Sequence, residues 1–97
     1  MEPVYQEALG LEFQLRDIPF VPQVELPIVY KDFTLKKTYR ADFLCYEGII
    51  VELKAISAVA AVDWAQLMNY LKASKLRVGL LFNFGNVPRL EHRRIII

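Results

Sequence analysis

Ninety-seven residues with 55% hydrophobic content and a formal net charge of +1 are expected to make one domain, residues 1–97, with a dense core and no room for a second. The single cysteine, Cys45, excludes an internal disulfide, and with a lone histidine it excludes a zinc site of the thiolate and imidazole type. No apolar run approaches the ~20 residues a bilayer helix needs, and the first residues lack a basic-then-apolar signal pattern, so a cytoplasmic location and no membrane partner are expected.

Residues 2–16 read as a helix. Val4, Ala8, Leu11 and Leu15 recur at three- and four-residue steps, and so do Tyr5, Leu9 and Phe13. Gly10 weakens this helix and Asp17-Ile18-Pro19 ends it. It starts so early that an N-terminal turn is expected to be missing. Residues 20–30 read as a strand, but Pro22 and Pro27 cannot donate to a ladder, which sends it to an edge or breaks it. After the Lys31-Asp32 turn come a short strand (33–36), a third (38–45) and a fourth (49–54). The clearest helix spans 59–74, with Trp64, Leu67, Met68 and Leu71 facing the core. Residues 76–82 form a nearly continuous apolar run, the mark of a strand covered on both faces. A loop over 83–88 follows, and residues 93–97 read as a short strand or a frayed tail. The order is therefore helix, three or four strands, helix, strand, with the last segment left open, and the fold class is α/β, a mixed sheet flanked by helices in the order α-β-β-β-α-β when residues 33–45 count as one strand.

The chemistry is concentrated in Tyr39-Arg40-Ala41-Asp42 and Glu52-Leu53-Lys54. Alternation puts Glu52 and Lys54 on one face of their strand. Whether Asp42 joins them depends on the hairpin. A two-residue loop at Glu47-Gly48 would aim it away, whereas a three-residue loop at Tyr46-Glu47-Gly48 would set it opposite Glu52, and Gly48 suits the left-handed last position of the longer loop. With that register the two carboxylates start about 5 Å apart at Cβ. Acids that close repel unless a cation lies between them, and a hard ion such as magnesium or manganese fits oxygen ligands. The competing interpretation is a structural ion pair of Lys54 with a carboxylate.

Those residues resemble the PD-(D/E)XK nuclease superfamily, with its restriction-endonuclease-like core, and more narrowly its GxxExxY family. The similarity runs over nearly the whole chain: Glu2-Pro3-Val4-Tyr5 for E-x-x-Y, with the glycine falling before Met1; Tyr39-Arg40-Ala41-Asp42 for Y-R-A-D; Glu52-Leu53-Lys54 for E-L-K; Gln66 to Leu71 for Q-L-x-N-Y-L; Gly79 to Gly85 for G-L-L-x-N-F-G. Ala41 stands where the superfamily often has proline. The resemblance implies Asp42 and Glu52 as metal ligands together with the Leu53 carbonyl, Lys54 as the catalytic lysine, and Glu2 as a further acid near the metal. It implies Gln66 and Tyr70 lining the site or touching phosphates.

Three clusters of positive charge, Lys36-Lys37-Arg40, Lys72-Lys75-Arg77 and Arg89-Arg93-Arg94, each read as a solvated face or a phosphate contact, and Arg40 is the arginine of the Y-R-A-D segment. His92 reads as a surface residue, and Cys45 and Trp64 as core. Three functions stay open: a Mg²⁺- or Mn²⁺-dependent nuclease acting on DNA before RNA, a binding module for nucleic acid or protein on the same fold, and a structural protein. The apolar excess leaves a homodimer open.

Overall fold

The computed structural model describes residues 2–85 and 90–97. Helix α1 (Glu2–Leu15) leads into β1 (Phe20–Tyr30), β2 (Phe33–Cys45) and β3 (Ile49–Lys54); helix α2 (Ala61–Ser74) then crosses to β4 (Val78–Asn83), and β5 (Glu91–Ile96) closes the order. The five strands form one sheet in the order β1-β2-β3-β4-β5. Only β3 and β4 are parallel, and they are the pair joined through a helix. Among the described residues no helix is long and apolar enough to cross a membrane.

Where the sequence suggests two short strands at 33–36 and 38–45, the chain runs as one strand, β2. The irregularity that splits them by pattern is a bulge: pairing shifts between Pro27 and Val29, so that residues 35–37 of β2 bow out opposite Ile28. Both prolines sit on β1, the edge strand, where a missing donor costs nothing. The C-terminal segment is a paired strand, so the sheet gains one member over the expected order.

Helix α1 ends at Asp17, whose φ of 55° is left-handed, with Ile18 donating back to the Phe13 carbonyl at 2.9 Å. Of its two apolar stripes the sheet takes Tyr5, Leu9 and Phe13, while Val4, Leu11 and Leu15 stay exposed. Helix α2 opens with the Asp63 carboxylate accepting from the Ala60 amide at 2.8 Å, and it closes on left-handed Lys75. Leu67 and Leu71 are buried and Trp64 is partly so. Met68, expected on the core face, is exposed, because the helix meets the sheet along the Leu67–Leu71 line. Gly79 lies under that line, and a Cβ there would sit 3.2 Å from both leucines.

Two cores result. Leu26, Tyr39, Ala41, Ile50 and Leu81 lie with Leu67 and Leu71 of α2; Phe43, Cys45, Val51 and Leu53 lie with Phe13 of α1. Tyr39, Ala41, Phe43 and Cys45 have the same parity along β2, yet the first two serve one core and the last two the other. The alternation therefore breaks at Asp42. Its neighbour on β1 is Gln23, which is left-handed at φ 51° and, with Asp42, is missing between the Pro22–Phe43 and Val24–Ala41 pairs. The hairpin changes face at that rung.

Candidate functional site

The β2–β3 turn has three residues, since Cys45 pairs with Ile49, Leu44 with Ile50 and Phe43 with Val51. The next step along that register brings Asp42 opposite Glu52. The left-handed residues of the turn are Tyr46 (φ 52°) and Glu47 (φ 61°); Gly48, expected to take that role, does not have a positive φ. The Tyr46 amide donates to the Pro19 carbonyl at 3.0 Å and the Gly48 amide to the Cys45 carbonyl at 3.1 Å. These bonds tie the turn down without a glycine conformation.

Regular pairing of β2 with β3 stops at Phe43 and Val51. Beyond it, side chains bond where backbone would. The Leu53 amide donates to Asp42 Oδ2 at 2.8 Å, and the Asp42 amide donates to Glu52 Oε1 at 3.1 Å. The Tyr39 hydroxyl also donates to Glu52 Oε1. Each carboxylate thus has one oxygen held by protein, leaving Asp42 Oδ1 and Glu52 Oε2 without a donor among the described residues. A strand residue aims its N–H and C=O the same way, so the Leu53 carbonyl faces the Asp42 side with no ladder partner opposite. Two carboxylate oxygens and a carbonyl form a hard-donor set suited to a small divalent ion that keeps several waters. The residues fit such an ion.

Burial raises both carboxyl groups above their ordinary range, Glu52 to about 7, with the neighbouring Asp42 charge adding to the effect on Glu52. Bonds from Tyr39 and the Asp42 amide oppose it on Glu52, as the Leu53 amide does on Asp42, and the Lys54 charge opposes it on both. The Tyr39 phenol, buried beside these acids, is pushed far above its usual range and stays a donor.

Lys54 shares the α2 side of β3 with Glu52, and the two line a cleft of about 10 Å³ with Asp63, Gln66, Leu67, Tyr70 and Leu81. That is about the space of one water. Gln66 donates to the Tyr70 hydroxyl at 3.0 Å, and the Tyr70 ring stacks on Tyr39 with centroids 3.7 Å apart. Gln66 and Tyr70 are thus brought to the acids. Arg40 is not: it alternates with Tyr39 and Ala41, and its guanidinium lies 3.7 Å from Glu25 on the opposite side of the strand. Glu2 lines a separate groove of about 760 Å³ between α1 and β1, with Gln6 and Gln23 among its neighbours. Among the described residues no third acid, cysteine or histidine joins Asp42 and Glu52 to make a metal-holding group. Cys45 is buried in the α1 core, and exposed His92 lies on β5. Of the third basic cluster, Arg89 lies outside the described residues, while Arg93 covers the Trp64 ring at 4.6 Å.

Sequence reasoning missed three contributors. Tyr39 lay in a matched motif without a role. Asp63 is at once a helix cap and part of the cleft wall. Asn83, expected in a loop, ends β4 fully buried, and its amide holds the segment after Lys54 through Ile56. An asparagine at the end of the apolar run, two residues before Gly85, was the available signal for Asn83.

A family model described as the PD-(D/E)XK nuclease superfamily matches residues 1–95. The crystal structure of SSO0001 has a similar fold, with a TM-score of 0.72 at 19% identity, over 98% of this chain and 49% of that one. The chain therefore spans about half the length of that protein. Comparison with curated proteins finds no match. With its mixed sheet, its paired acids beside Lys54, and a family match over nearly its whole length, the chain belongs to the PD-(D/E)XK nuclease superfamily.

Proposed function

We propose that this protein is a GxxExxY-type, metal-dependent phosphodiesterase of the cytoplasm, one domain over residues 1–97, acting on DNA in preference to RNA. The observation that carries the reading is the Asp42–Glu52 rung, in which each acid keeps one oxygen without a donor among the described residues, while Glu52 and Lys54 line one cleft. Asp42, Glu52 and the Leu53 carbonyl would hold magnesium or manganese, which when bound acidifies a water and neutralises charge on the phosphate. Lys54 orients the attacking water and stabilises the charge that builds up. Gln66 and Tyr70 contact the substrate from α2. A homodimer would enlarge a small substrate surface.

The test is cleavage of single- and double-stranded DNA and RNA in Mg²⁺ or Mn²⁺ by wild type, Asp42→Asn, Glu52→Gln and Lys54→Met, with folding checked by circular dichroism. Wild type cleaves, and each variant loses about 100-fold or more in rate with its fold retained. Equal cleavage by all four proteins overturns the assignment.

A non-catalytic nucleic-acid- or protein-binding module is the second reading. It is favoured by the one-water cleft and by the lack of a third acid among the described residues. Salt-sensitive binding without product would select it.

A further inference from the structure

We propose that Tyr39 is a positioning residue that makes Glu52 a one-oxygen ligand, an inference that rests on the metal-site reading above. Glu52 Oε1 accepts from both the Tyr39 hydroxyl and the Asp42 amide, so its lone pairs are committed to protein donors. The carboxylate cannot rotate to offer both oxygens to one ion without breaking these bonds. Oε2 is left pointing away from its donors, and the carboxylate plane is fixed before any ion arrives.

Tyr39 can do this because it is itself held. The residue is 7% exposed and its ring lies against the Tyr70 ring at 3.7 Å with 14° between planes, so the ring is held by packing. Tyr70 in turn accepts from Gln66 at 3.0 Å. The chain of contacts runs from α2 through two stacked rings to one oxygen of Glu52. Asp42 shows the same pattern with a backbone donor, its Oδ2 taken by the Leu53 amide. With the Leu53 carbonyl, one-oxygen ligation by both acids leaves an octahedral ion half of its positions for water and phosphate oxygens, whereas two-oxygen ligation by both would leave a single one.

The experiment measures Mn²⁺ affinity by titration calorimetry, without nucleic acid, for wild type, Tyr39→Phe, Glu52→Gln and the double variant. Phe keeps the ring stack and removes only the donor. Tyr39→Phe weakens Mn²⁺ binding about tenfold and has no further effect in the Glu52→Gln background, since it acts through that carboxylate. Unchanged affinity in Tyr39→Phe, while Glu52→Gln loses it, overturns the positioning role and leaves the metal site standing. An equal loss in both backgrounds overturns it too, because the effect then bypasses Glu52. No Mn²⁺ binding by wild type removes the metal site and this inference with it. Should Tyr39→Phe fail to fold, infrared difference spectra of wild type decide. On adding Mn²⁺, one-oxygen ligation widens the splitting between the carboxylate stretching bands; a narrowed splitting, the mark of two-oxygen ligation, overturns the proposal.

Discussion

Asn83 holds Ile56 by both of its backbone groups: Oδ1 accepts from the Ile56 amide at 2.9 Å, and Nδ2 donates to the Ile56 carbonyl at 2.8 Å. Oδ1 also accepts from the Gly85 amide, and Nδ2 also donates to Glu91, so the side chain uses all four of its bonding positions while fully buried. With the Phe84 amide on the Lys54 carbonyl at 2.8 Å, this clamp fixes where β3 ends. Replacing Asn83 with Leu strips the amide and carbonyl of Ile56 of their partners. We expect a loss of about 2–4 kcal/mol in urea denaturation. A loss under 1 kcal/mol would mean that water replaces the clamp.

The acids set a pH dependence whose sign is fixed. Glu52 sits at about 7 because burial disfavours its charge, and Asp42 is shifted the same way. Between the ordinary glutamate range and about 7 the folded chain binds the proton more tightly than the unfolded chain. Stability therefore falls as pH rises through that window, and the full cost is present above it. The cost is on the order of 3 kcal/mol for Glu52. Wild type is expected to melt higher at pH 5.5 than at pH 8 relative to Glu52→Gln, which carries no titrating group there. Parallel melting curves for the two proteins would refute this.

Gly10 lies mid-helix without a positive φ, and a Cβ on it would rest 3.7 Å from the Phe43 ring, an ordinary contact. Gly10→Ala gains helix propensity without a clash, so a stabilisation of about 0.5–1 kcal/mol is expected, a rise of roughly 4 °C in melting temperature. A fall would show that α1 must approach the sheet more closely than alanine permits.

Gly85 presents the opposite case. A Cβ there would lie 2.4 Å from backbone atoms of Ile56. Gly85→Ala must part that loop from β4 and is expected to cost more than 2 kcal/mol, again read by urea denaturation.

Local pattern carried most of the architecture. The parallel strand β4 was legible from its unbroken apolar run, and the Asp42–Glu52 rung from counting residues across a three-residue turn. What escaped was set by tertiary contact. Either stripe of α1 could have faced the sheet, and only packing selects Tyr5, Leu9 and Phe13. Tyr39 reads as a β-type aromatic until Tyr70 and Glu52 arrive from 31 and 13 residues away. A regular turn model favoured Gly48 for the left-handed position, while bonds to Pro19 and Cys45 let Tyr46 and Glu47 take it.

The change of face at Gln23 and Asp42 has a consequence for how the molecule comes apart. One hairpin furnishes side chains to the layers on both sides of the sheet, so neither layer can be dissolved while the other keeps its full complement. The chain should melt in a single cooperative step, with the slowest-exchanging amides of both layers opening together.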